Sequence, residues 1–173
     1  MSRLSYDAAL AVLHWLVARA RERSLPGVRL NLAARCTLVR LARSLGARDL
    51  GTYAWQVLVP DWPTFLHTVA PTLESRLATS AFAGLTDRLP ISLYRQHFTL
   101  VFDAGRLAAV EEDPGAEAEF HCHPDAFAPL VLGQRTLSEL RYQYPDVSIA
   151  DRRQLLVETL FPPATGFLYT CTG

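Results

Sequence analysis

With 173 residues, half of them hydrophobic and one-fifth charged, the chain can bury a core in one large domain or two small ones and does not read as disordered. No apolar run nears the roughly 20 residues that span a bilayer, and the first residues lack a signal peptide's cationic flank, apolar core and cleavage site. The net charge is zero, yet it joins a basic front to an acidic remainder.

Ser5 is placed to cap a first helix, with Asp7 at the positive end of its dipole. Leu10, Leu13, Leu16, Val17 and Ala20 recur at helical spacing until Pro26-Gly27 breaks the pattern. Val28, Leu30 and Leu32 alternate as a short strand. A second helix is predicted from about Thr37, with Leu38, Leu41, Ala42 and Leu45 inward and Gly46 as its stop. The β-formers Tyr53–Val59 predict a strand that ends at Pro60-Asp61.

Asp61 can cap a further helix with Pro63 in its first turn, and Pro71 predicts a break into Trp62–Val69 and Pro71–Thr79. A loop follows around Ser80–Arg88. Strands are predicted at 89–94, 97–103, 106–111 and 118–123, the second and third joined by a short Asp-Ala-Gly turn. The acidic segment Glu111–Gly115 reads as a solvated loop. A helix started by Pro124 stops at Gly133, and a second helix and a late amphipathic helix complete the order.

Residues 1–50 hold nine arginines against three acids, a net +6, and the rest hold eight against fourteen, a net −6. All seventeen cations are arginine. This asymmetry fits a basic surface for an anionic ligand such as a nucleotide or coenzyme A. It fits better two halves that pack together, with arginine favoured by a GC-rich genome. Cys36, Cys122 and Cys171 form an odd, scattered set without a C-x-x-C, which suggests a reducing cytoplasm.

His121-Cys122-His123 sets two imidazoles on one face of a strand and the thiol on the other. Zinc needs three or four ligands and no distant pair of ligands is evident, so no metal is expected. His123 is better read as the junction before a helix with Pro124 at its first position. No G-x-S-x-G elbow supports a hydrolase. Phe98, Leu100 and Phe102 share one face of a strand, with Leu107 and Ala109 on its hairpin partner. Alternation alone leaves open whether that face lines an apolar ligand pocket or closes into an ordinary core.

The run from HFTLVFDAGRLAAVEE through AEFHCHPDAFAPLVLGQRTLSELRYQYPDVSIADRRQLLVETLFPP resembles the sterol-carrier-like domain at the C-terminus of some multidomain GNAT acetyltransferases, the enhanced intracellular survival protein type. VRLNL, a helix closing on LARSLGA and the strand TYAWQVLV resemble the second half of a GNAT fold, with Ala47 where an aromatic is common. VPDWPTFLHTVAPTLESRLATSAFAGL resembles the connection between the two. The resemblance implies an α/β to α+β fold: a partial GNAT-like βα layer over residues 1–60, then a sterol-carrier-like mixed sheet covered by helices over 61–173.

It also implies a function, the C-terminal portion of an N-acetyltransferase that shapes the acceptor-amine site and the oligomer. Acetyl-CoA would be the cofactor of the complete enzyme and none would bind here, because the pyrophosphate loop Q/R-x-x-G-x-G/A is missing. Its nearest match, Arg43-Ser-Leu-Gly46-Ala-Arg48, fails at the last position and is predicted at a helix C-terminus, where the dipole repels phosphate. The alternative is a free-standing carrier of an acyl or other apolar small molecule. In the acetyltransferases that the chain resembles, the terminal carboxylate reaches the catalytic domain and can assist proton transfer. Here the end reads FLYTCTG and departs from the expected aromatic ending, which leaves Tyr169 and the Gly173 carboxylate as candidates against a frayed tail. The partners expected are a second copy or a catalytic GNAT domain, contacted through Tyr53–Val59 and the first helix. Neither nucleic acid nor a membrane span is expected.

Overall fold

Ser5 opens the first helix, α1 (Tyr6–Glu22): its Oγ accepts the Ala8 N–H at 3.2 Å, and Asp7 sits in the positive first turn. The second helix, α2 (Thr37–Ser44), stops at Gly46, which takes φ +91° while the Ala47 N–H returns to the Ala42 carbonyl at 2.9 Å. The computed structural model describes residues 4–34, 36–51 and 57–164, which fall into two compact units, 4–51 and 57–164. In the first unit α1 packs on α2, with Ala9, Ala20, Leu38 and Ala42 buried. Leu45, expected inward, is exposed.

One strand expectation fails in this unit, and a second, Tyr53–Val59, lies mostly outside the described residues. Residues 28–32 form no strand despite their alternation. A strand persists only through pairing, and among the described residues none pairs with 28–32; residues 57–59 are not strand, and 53–56 lie outside the described residues. The described part of the unit therefore holds two helices and no βα layer.

The second unit begins with α3 (Trp62–Ala78), which corrects the predicted break by running through Pro71. Trp62, Leu66, Ala70, Leu73 and Leu77 follow at intervals of three or four and are all buried, whereas Pro71 is exposed. A mid-helix proline costs about 3 kcal/mol. Burying Trp62 and three leucines returns roughly 1.5–3 kcal/mol each, so the continuous stripe prevails.

The hairpin strands β1 (Asp87–Ser92), β2 (His97–Asp103) and β3 (Arg106–Glu112) lie within two residues of their predicted bounds. β4 (Phe120–His121) is shorter than its alternation suggests. It leads into α4 (Pro124–Val131), α5 (Leu137–Gln143), a two-residue β5 (Ser148–Ile149) and α6 (Asp151–Leu160). The sheet order is β3-β2-β1-β4-β5, with β1 and β4 parallel and the other pairs antiparallel. The fold of this unit is thus mixed α/β.

Register decides which face is sealed. Leu89 pairs with Leu100, Ile91 with both Phe98 and Phe120, and Phe102 with Leu107. These side chains join the stripe of α3 and Phe127, Leu130, Leu140, Leu156 and Leu160 of the later helices in one core. The other face carries Arg88, Pro90, Thr99, Val101, Glu111 and His121. There the Arg88–Glu111 ion pair, at 2.6 Å, spans β2 from β1 to β3.

Candidate functional site

On that second face, the ends of β1 and β2, the 116–119 segment, β5 and the start of α6 enclose an open groove of about 1090 Å³. Val101, Pro90 and Ile149 give it an apolar floor, and Asp103, Glu117, Arg88 and Arg152 give it charged walls. A smaller recess of about 350 Å³, bounded by Ser92, Tyr94, Cys122 and Asp146, shares His121 and Ser148 with it. The two therefore meet along β4 and β5.

Arg153 is the electrostatic centre of the groove. Its side chain is 13% exposed and donates to Asp87 through both terminal nitrogens, one at 3.2 Å, to Glu119 through Nε, and to the Arg88 carbonyl at 3.0 Å. Arg152 donates to the other oxygen of Glu119. The Arg153 bond holds the Asp87 carboxyl below its ordinary range, against burial, which acts to raise it. Burial also acts to raise Glu119, but the bonds from Arg152 and Arg153 outweigh it and leave that carboxyl lowered. Both acids stay ionised at neutral pH, and the Asp87 bond raises the Arg153 guanidinium above its ordinary range.

At the recess, Tyr94 holds φ +62° at the tip of the β1–β2 hairpin, and its ring meets His123 edge-on at 5.6 Å. A hydrogen bond to Asp146 raises the Tyr94 phenol. Burial pushes the Cys122 thiol up to about 12, so it stays protonated and non-nucleophilic at neutral pH. His121 faces the groove, while His123 caps α4, its Nδ1 accepting the Asp125 N–H at 3.2 Å. Among the described residues no group of three or more His, Cys, Asp or Glu is placed to hold a metal.

Phe98, Leu100 and Phe102 are 2%, 0% and 1% exposed within the helix-side core. Neither Phe98 nor Leu100 lines the groove or the recess. Phe127 lies among Trp62, Phe98, Phe120 and Phe161, with ring centroids 4.6, 6.0, 6.2 and 6.1 Å away. Tyr169 and Gly173 lie outside the described residues. The Arg43–Arg48 segment sits where it was read, at the C-terminal end of α2, and does not fit a coenzyme A pyrophosphate.

Sequence reasoning missed the Asp87–Glu119–Arg153 cluster. One local signal pointed to it: Arg152 and Arg153 occupy the first turn of α6, where the dipole disfavours cations, so acids must engage them from elsewhere. Comparison with protein-family models, with curated proteins and with solved structures gives no match. No helix among the described residues is long and apolar enough to cross a membrane.

Proposed function

We propose that the chain is the C-terminal, acceptor-site-shaping and oligomerising portion of a GNAT-type N-acetyltransferase, with the second unit as a sterol-carrier-like domain in an architectural role. The assignment to that enzyme class rests on the sequence resemblance. The observation that favours architecture over lipid carriage is the filled helix-side core. A carrier needs an apolar cavity between sheet and helices, and here Phe98, Leu100, Phe102 and the ring cluster around Phe127 occupy that space. The opposite face offers a groove with an apolar floor and charged walls that is open to solvent, suited to shaping a neighbouring site rather than enclosing an acyl chain.

In this reading acetyl-CoA belongs to the catalytic portion of the enzyme. Titration calorimetry of the chain with acetyl-CoA is expected to show no saturable heat. Micromolar binding by this chain alone would defeat the reading, because the pyrophosphate would then have a site that the Arg43–Arg48 segment does not supply.

A further inference from the structure

Among the described residues of the first unit, nothing covers one face of the first helix. Tyr6, Leu10, Leu13 and Val17 recur at alternating intervals of four and three, a stripe beside the buried Ala9 and Ala20. Tyr6 and Val17 remain 59% and 43% exposed, and Leu10 and Leu13 are half-buried. On the flank of this stripe Asp7, His14 and Arg21 follow at seven-residue intervals, all exposed. The row starts with an anion, ends with a cation and has His14 at its midpoint.

Such a row complements itself when a second copy lies antiparallel. Asp7 then meets the partner's Arg21 and Arg21 meets the partner's Asp7, while the apolar stripes mesh and the helix dipoles oppose. A parallel copy would set Asp7 against its own equivalent. We propose that α1 is the contact between two copies of this chain, packed antiparallel through the Tyr6–Val17 stripe about a two-fold axis near His14. The 17 residues of α1 span about 25 Å. So short an interface gives a weak, concentration-dependent dimer. The inference deepens the oligomerising part of the proposed function and is independent of acetyl transfer, so failure of either test leaves the other standing.

Sedimentation equilibrium of the full chain between about 1 and 200 µM, the range that resolves weak dimers, tests it. A monomer–dimer equilibrium is expected, abolished by Val17→Asp, an exposed position where the helix survives. Asp7→Arg and Arg21→Asp should each weaken dimerisation about tenfold, and the double exchange should restore it to within about threefold. Circular dichroism checks that α1 is intact in every variant. A strict monomer, a dimer indifferent to Val17→Asp, or a double exchange no better than the singles overturns the proposal.

Discussion

Replacing Arg153 by methionine removes the side chain that ties α6 to the starts of β1 and β4, and it keeps most of the apolar stem. Asp87 loses both its guanidinium bonds and Glu119 loses one, while Arg152 still serves Glu119. Stranding a fully buried ionic partner costs about 3–5 kcal/mol. Asp87 is 35% exposed and regains some water. The expected loss is therefore about 2–3 kcal/mol. At about 4 °C per kcal/mol for a unit of this size, Tm should fall by roughly 8–12 °C.

The same loss should depend on pH. Asp87 and Glu119 are lowered in the folded state, so their contribution is complete above the unfolded carboxylate range near 4 and disappears as pH falls through the folded values. Thermal unfolding by circular dichroism from about pH 7 down to 2.5 should show wild type and Arg153→Met converging on the acid side. A Tm difference under about 2 °C at pH 7, or a gap unchanged at the acid end, refutes the assignment of this cluster as a stabilising tie.

Phe127→Ala should cost about 3–5 kcal/mol in urea unfolding, since its ring touches four others in the core; a loss under about 1 kcal/mol would mean that the core is not closed there. At the β2–β3 turn Ala104 and Gly105 hold φ +46° and +81°. Ala104→Gly should therefore raise stability by about 0.5–1 kcal/mol, and a loss would contradict the left-handed turn. Gly105→Ala should lower stability, because its Cβ would stand 3.1 Å from the Gly84 nitrogen. With Cys36 and Cys171 replaced by serine, an aromatic disulfide reagent at about pH 8 should leave Cys122 unmodified until the chain unfolds, given its burial and raised pKa; prompt labelling of the native chain would show the thiol to be accessible.

The β2–β3 hairpin was legible because each clue was local: alternation over seven residues, then a turn whose glycine takes positive φ. The capping of α1 by Ser5 and the stop at Gly46 were legible for the same reason. Pro71 misled because local backbone cost was weighed without the buried stripe that repays it. Val28–Leu32 misled in the opposite sense, since alternation describes a face and pairing makes the strand. β5, at two residues, is too short for any periodicity and exists because it pairs with β4. The groove could not be read at all. Asp87, Glu119 and Arg153 are 32 and 34 positions apart along the chain and meet only through the parallel β1–β4 crossover and the return of α6.

The central claim is that the face bearing Phe98, Leu100 and Phe102 is closed by side chains and carries no lipid. Titration of the chain with a fluorescent polyene fatty acid measures this most directly. The account predicts no saturable signal at micromolar ligand and no rise in Tm with added fatty acid. Stoichiometric, saturable binding that is lost on Phe98→Trp, together with a ligand-dependent rise in Tm, would contradict it and favour the carrier.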